Sequence, residues 1–368
     1  MEVAAMSETV VGVIADPGLP LKLARELRLR LEEMLGRELD NSVRWIIETK
    51  KFSLPVDKHG EVELTAHANQ LRESEHWDYV VYLTDLPKYE NTEPLVSSVN
   101  TGTGSALVVL PALGLVRRKR LLRAILQVLA TLHGVGDPYL QGGNRVSIGA
   151  DPLLVERRSK AGDNDENAYE TTKGLRGRIL LLLGMVRSNR PWRLVPRLST
   201  AMAAAVAAGA FGVFYTSIWS MADFLAPPRL GVISLLSILV MGAWLLLHNK
   251  LWESPLGNRQ REKRVMYNLA TIVTIFSAVL LMYLALFLVV LAGSLIIIDA
   301  GFLAMQLEHD VGLAEYVNLS WLAASLGTMA GAVGASLDDE ESVRRATYSQ
   351  REFERRQITV ARENERED

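Results

Sequence analysis

The chain contains no cysteine. Disulfides, thiolate nucleophiles, Cys-ligated zinc and Cys-ligated iron–sulfur clusters are therefore excluded, which removes several enzyme classes at once. Other local signatures of chemistry are missing too. No Ser/His/Asp arrangement, metal-ligand spacing or nucleotide loop is recognisable, so no catalytic residue, cofactor or metal ion is expected. Residues Met1 to Thr9, with Glu2 and Glu8, lack the positive n-region and apolar h-region of a secretory signal, and the first domain is expected to stay in the cytoplasm. Charge of one sign is not in excess. The net charge of −2 hides a segregation of basic and acidic residues, gives no guide to partners, and goes with no expectation of nucleic acid.

What is present divides the chain in two. Its 368 residues leave room for two domains, and 49% hydrophobic with 22% charged residues fits one greasy and one polar region better than a single globule. Four apolar stretches, Leu198 to Met221, Leu230 to His248, Asn268 to Ile298 and Gly312 to Leu337, approach or exceed the roughly 20 residues that cross a hydrocarbon core of about 30 Å. The predicted architecture is an α/β soluble domain over 1–155, a linker over 156–172, a juxtamembrane helix over 173–197, an all-α transmembrane bundle of four helices over 198–337 and a charged tail over 338–368.

Basic residues set the expected orientation, because short Lys/Arg-rich loops stay in the cytoplasm. Lys173, Arg176, Arg178, Arg187, Arg190, Arg193 and Arg197 precede the first stretch; Lys250, Arg259, Arg261, Lys263 and Arg264 separate the second from the third. The other two connections are poor in Lys and Arg, so both termini are predicted inside a plasma membrane crossed several times. Ionisable residues are nearly absent from the predicted bilayer depth, which argues against a coupled pump. An oligomeric pore lined by Thr271, Thr274, Ser277, Tyr283 and Asn318 stays open, beside the reading in which these groups bond within the helices.

From Asn268 to Leu307 the third run would be about 60 Å long as one helix. One crossing followed by an amphipathic extension is the preferred reading, with Leu295, Ile298, Phe302 and Met305 on a common face. The fourth stretch is rich in small residues. Gly327, Gly331 and Gly334 let helix backbones approach closely, either within one bundle or between subunits of a homo-oligomer.

Arg157 to Thr172 is polar and reads as a flexible linker. Lys173 to Arg187 then reads as a basic amphipathic helix with Leu175, Ile179, Leu182, Leu183 and Val186 on one side. Arg176, Arg178, Arg187 and Arg190 suit it to the anionic inner leaflet, with packing onto a bundle as the alternative. The tail, starting DDEESVRRATYSQRE, reads as a solvated helix or disorder.

The first domain alternates strands and helices. Strands are predicted at Val10 to Ala15, Val43 to Thr49, Tyr79 to Leu83, Leu95 to Val99 and Ala106 to Leu110; helices at Leu21 to Leu35, Leu64 to Arg72 and Arg117 to Leu132. This implies a mixed sheet covered by helices. The turn Asn100 to Ser105, with Asn100, Gly102 and Gly104, is a candidate anion or ligand cradle, although a hairpin turn accounts for it better. Asp16 and Asp85 follow strands, where α/β sheets place ligand residues and where carboxylates also cap turns.

Two resemblances add to this reading. The order of a strand ending in YLTDLP (Tyr82 to Pro87), two further strands and a helix ending in LATLHG (Leu129 to Gly134) is similar to the first half of metzincin-type zinc proteases, archaemetzincins in particular. That family carries HExxHxxGxxH on the last helix, whereas here His133 stands as its only histidine, with no glutamate. The resemblance implies a degenerate relative without a zinc site. The combination of this N-terminal domain, four spans, a last span reading SLGTMAGAVGASL and a tail starting DDEESVRRATYSQRE resembles a membrane-protein family of actinobacteria, a resemblance that implies no activity. It implies a bacterial inner membrane. The leading expectation is a non-enzymatic sensor or scaffold domain anchored to a packed bundle, with a protein partner of the cytoplasmic domain. The alternatives are an oligomeric channel or passive transporter and, last, a hydrolase built on His59, His67, His76 and Asp85.

Overall fold

The computed structural model describes residues 7–55, 62, 64–90, 92–115, 117–134, 155–162, 165–252, 261–349, 352–354 and 357. The chain divides into two compact units, Met1–Ser188 with Ser349–Asp368, and Asn189–Tyr348.

The first unit is built on one mixed sheet. Its elements are β1 (Ser7–Ala15), α1 (Leu19–Glu38), β2 (Val43–Lys51), α2 (Thr65–Glu75), β3 (Tyr79–Thr84), β4 (Tyr89–Glu90), β5 (Glu93–Asn100), β6 (Ser105–Val109), α3 (Arg117–Leu132), β7 (Val155–Gly162), β8 (Asp165–Thr172) and α4 (Gly174–Asn189). The strand order is β2-β1-β3-β6-β5-β8-β7, with β4 paired to β5. β2, β1, β3 and β6 run parallel, whereas β5, β8 and β7 continue antiparallel. The inner parallel strands read as nearly continuous apolar runs because both faces are covered: Val80, Val81, Tyr82 and Leu83 of β3 are all fully buried. α1 buries Leu23, Leu27, Leu31 and Leu35, a stripe at helical spacing. Gly12 in β1 has its own reason. A Cβ there would stand 2.0 Å from the Trp77 ring, so only glycine lets that indole lie on the strand.

The segment expected as a linker over 156–172 is instead the hairpin β7–β8, and β8 pairs with β5 from Leu95↔Thr171 to Asn100↔Asn167. Its polar sequence hides the strands, since outer strands of a sheet need no apolar alternation. α4 likewise belongs to this unit. A Cβ on Gly184 would meet the Pro111 carbonyl oxygen at 1.9 Å, and one on Gly177 would meet Thr172 Cβ at 2.7 Å. Its buried apolar side chains are Leu181 and Met185, whereas Leu175 and Ile179 are exposed.

The second unit is helical: α5 (Ser199–Phe214), α6 (Thr216–Phe224), α7 (Pro227–His248), α8 (Arg261–Ile297), α9 (Ala300–Leu307), α10 (Leu313–Gly334) and α11 (Glu340–Thr347). Among the described residues α7 and α8 are each long and apolar enough to cross a membrane, and the pair α5 with α6 makes a third if it counts as one span. The expected bundle of four is thus shown only as two clear apolar spans, or three with the bent pair. The expected first span breaks at Tyr215, whose backbone is extended, and the two pieces are bent by 85°. Trp219 Nε1 donates to the Gly212 carbonyl at 2.9 Å, giving a partner to an acceptor near the break. α10, at the place of the fourth span, falls outside the apolar set; Glu315, Asn318 and its many small and hydroxyl residues explain why.

The third run also ends differently. α8 stops at Ile297, and Asp299 Oδ1 accepts from the amides of Gly301 and Phe302 at 2.9 and 3.1 Å, opening α9 as a separate helix. Because the break falls between them, Leu295, Ile298, Phe302 and Met305 do not share a face: Ile298 and the neighbouring Leu303 are buried while the other three are exposed. The tail corrects a further expectation, since its first part is packed. Asp338 accepts from the amides of Thr200 and Ala201 at 3.0 and 3.3 Å, capping α5. Arg344 Nε donates to Asn249 O at 2.9 Å and the Tyr348 hydroxyl to Leu251 O at 2.8 Å.

Candidate functional site

In an open α/β sheet, ligands bind outside the carboxyl ends of the strands where the strand order reverses. Here α1 carries the chain from β1 to β2 on one side, and α2 returns it to β3 on the other side of β1. The reversal lies between β1 and β3, and Asp16, Thr84 and Asp85 stand there. Asp16 is fully buried. Its Oδ1 accepts from the Tyr82 hydroxyl at 2.5 Å; its Oδ2 accepts from Thr84 Oγ1 at 2.6 Å and, weakly, from the Asp85 amide at 3.4 Å. The Asp16 amide donates to Leu83 O at 3.0 Å. A carboxylate with both oxygens engaged by the neighbouring strand β3 serves first to join the ends of β1 and β3, since removing it would take the acceptor from two buried hydroxyls. Sequence reading located Asp16 and Asp85 but not Tyr82 and Thr84, whose alternation in β3 looked like ordinary strand filling.

The turn Asn100 to Ser105 joins β5 to β6. Asn100 Oδ1 accepts from the Thr103 amide at 2.8 Å and its hydroxyl at 3.0 Å, and the Gly104 amide donates to Thr101 O at 3.3 Å. Arg72 closes it from outside by donating to Thr103 O at 3.0 Å. Gly104 has φ +60°, and a Cβ would meet the Arg72 guanidinium at 2.7 Å. The amides that would converge on an anion are thus spent within the turn at residues 103 and 104. Gly102 lies in the same turn.

His133 ends α3 against the sheet. Tyr79 Oη and His133 Nδ1 are 3.2 Å apart, His133 Nε2 lies 3.8 Å from Asp40 Oδ2, and Trp45 meets the imidazole edge-on at 5.1 Å between ring centroids. The Ser42 hydroxyl and amide hold the Asp40 carboxyl below its usual range, while burial pushes the Tyr79 phenol up. His76 is the left-handed C-cap of α2, and His67 lies within that helix. His59 falls outside the described residues. No group of three or more His, Asp or Glu able to hold a metal ion occurs among the described residues.

Arg176, Arg178 and Arg187 lie exposed along α4, with Arg190 half-buried just after it in a left-handed conformation, φ 55°. Leu175 is 74% and Ile179 45% exposed on the same helix. In the helical unit, a Cβ on Gly327 would meet Ala205 O at 2.5 Å, on Gly331 Ala201 O at 3.0 Å, and on Gly334 Ala204 Cβ at 2.6 Å. α5 and α10 therefore pack closely along about two helical turns, with α10 against backbone oxygens of α5 at Gly327 and Gly331. Deeper in the same unit Ser234 Oγ lies 3.0 Å from Tyr283 Oη and 3.1 Å from Ser325 Oγ, and accepts from Trp321 Nε1 at 2.5 Å. Thr271 and Thr274 donate to carbonyls of their own helix at 3.0 and 2.7 Å, and Thr274 also accepts from Asn189 at 3.1 Å.

Comparison with protein-family models, with curated proteins and with solved structures finds no match for this chain.

Proposed function

We propose that the chain is a multi-pass protein of a bacterial plasma membrane, with both termini in the cytoplasm. In this reading α5 with α6, α7, α8 and α10 cross the bilayer as a four-helix bundle, and the α/β domain works as a non-enzymatic sensor or scaffold at the inner face. The observation that carries it is the two-sided build of α4. One side is locked onto the sheet domain through Gly184 and Gly177, and the other leaves Leu175 and Ile179 exposed beside Arg176, Arg178 and Arg187. An apolar strip flanked by arginines matches an anionic lipid surface, where each cation near the headgroups adds about 1 kcal/mol. The Asp16 carboxylate is engaged in joining strand ends and the turn at Asn100 is closed on itself, so neither is offered as a catalytic group. The bonded hydroxyls of Thr271, Thr274 and Tyr283 support a packed bundle over a lumen.

The test is hydrogen exchange on the full chain in nanodiscs. Residues 175–187 are expected to gain protection when phosphatidylcholine is replaced by phosphatidylglycerol, and to lose that gain in the triple variant Arg176→Ala, Arg178→Ala, Arg187→Ala. Protection independent of lipid charge would remove the basis of the proposal. Ion flux through reconstituted liposomes would favour the oligomeric channel instead.

A further inference from the structure

The start of the helical unit carries an open apolar groove of about 690 Å³ lined by Val195, Pro196, Ser199, Met202, Ala203, Val206 and Ala207. Its shape follows from the sequence. Two 3₁₀ turns, Pro191–Arg193 and Val195–Arg197, lead into α5, and Leu194 and Leu198 are fully buried between and after them. Leu194 and Leu198 are buried whereas Arg193 and Arg197 are exposed; in sequence Arg193 lies two residues before Val195 of the lining, and Arg197 sits between Pro196 and Ser199 of it. Neither guanidinium has an acidic partner among the described residues. Along α5 the alanines at 203 and 207 leave the floor low where larger side chains would fill it.

We propose that this groove binds one anionic phospholipid, an acyl chain lying along Met202, Ala203, Val206 and Ala207 and the headgroup phosphate meeting Arg193 and Arg197. Three observations converge. The lining is almost wholly apolar, which suits a hydrocarbon chain and no polar solute. From Ser199 to Ala207 the helix rises about 12 Å, close to the roughly 15 Å depth of one leaflet of a 30 Å core. The two arginines stand at the end where the chain enters the bundle, next to Trp192, which is 45% exposed. Arginine forks match phosphate oxygens, and tryptophan belongs at headgroup level.

The proposal rests on the reading that the helical unit lies in a bilayer. It is tested by native mass spectrometry of the full chain released from nanodiscs holding equal phosphatidylglycerol and phosphatidylcholine. One phosphatidylglycerol is expected to stay bound in preference to phosphatidylcholine. The double variant Arg193→Ala, Arg197→Ala is expected to lower its retention roughly tenfold. Arg193→Lys with Arg197→Lys should retain most of it, and Ala203→Trp, which fills the groove, should expel it at unchanged thermal midpoint. Equal retention of both lipids by the natural chain, or unchanged retention in the alanine pair, overturns the proposal while leaving bilayer insertion intact. A chain that alkaline carbonate strips from membranes overturns both together.

Discussion

A methyl group on Gly327 would stand 2.5 Å from the carbonyl oxygen of Ala205, closer than any side-chain carbon sits to backbone. Because the obstacle is backbone, it cannot swing aside, and α5 and α10 must separate to admit it. Gly327→Ala is expected to destabilise the helical unit by about 1–3 kcal/mol, with Gly327→Val costing more. Gly231, with open space around its Cβ position, provides the control, and Gly231→Ala should leave the thermal midpoint in detergent unchanged or slightly raised. Equal effects at the two positions would contradict the tight seam.

Tyr283 ties α8 to α7 and α10 through its hydroxyl, 3.0 Å from Ser234 Oγ and 3.2 Å from Ser325 Oγ. Tyr283→Phe keeps the ring and removes the knot, at an expected cost of about 0.6–1.7 kcal/mol, the range for hydrogen bonds between membrane helices. Urea or dodecyl sulfate titration of the purified protein reads it directly. A loss of ion flux without any loss of stability would instead favour a pore-lining role.

Asp16 fastens β1 to β3, so Asp16→Ala should remove the acceptor of the buried Tyr82 and Thr84 hydroxyls and cost about 1–3 kcal/mol. Asp16→Asn, which keeps an acceptor oxygen, should cost less. Tryptophan emission follows unfolding of this domain through Trp45 and Trp77, both buried in it. An Asp16→Ala protein of natural stability would show that the carboxylate is held for a ligand and not for the sheet.

The expectations drawn from sequence succeeded where apolar periodicity was strong. α3 was expected at Arg117 to Leu132 and forms there; β1, β2 and β3 differ from their expected bounds only at the ends. The hairpin β7–β8 was invisible because VERRSKAG and DENAYETT carry no alternation; β8 is held as a strand by pairing with β5, and β7 by pairing with β8. Nor did a proline announce the bend at Tyr215; Gly212 lies in the last turn before it, and there Trp219 bonds its carbonyl beside the extended backbone of Tyr215. At the candidate site the acids were legible from their position after strands. The hydroxyls that engage Asp16 were not, because register decides which side chains of neighbouring strands meet.

His309 has acceptors at both ring nitrogens: Asp223 Oδ2 at 3.1 Å from Nε2 and the Asp310 carbonyl at 2.8 Å from Nδ1. Only an imidazolium donates twice. The Asp310 carbonyl first, then the Asp223 carboxylate, raise its pKa above 6.5, with the Glu315 charge adding to them. A raised folded-state pKa stabilises below the unfolded value and loses that contribution as pH rises through the folded value. The difference in thermal midpoint between the natural chain and His309→Gln should therefore be largest in mild acid and shrink as the pH rises past the raised pKa. A difference that does not vary with pH would contradict the paired imidazolium.

The central claim is that the helical unit crosses a bilayer with the sheet domain inside. The natural absence of cysteine makes single-cysteine labelling direct. Asp310→Cys and Glu73→Cys, both at exposed positions, are to be treated with a membrane-impermeant maleimide in cells whose plasma membrane is sealed. The account predicts that Asp310→Cys reacts in sealed cells and Glu73→Cys only after lysis. Labelling of both in sealed cells, or of neither, would contradict it.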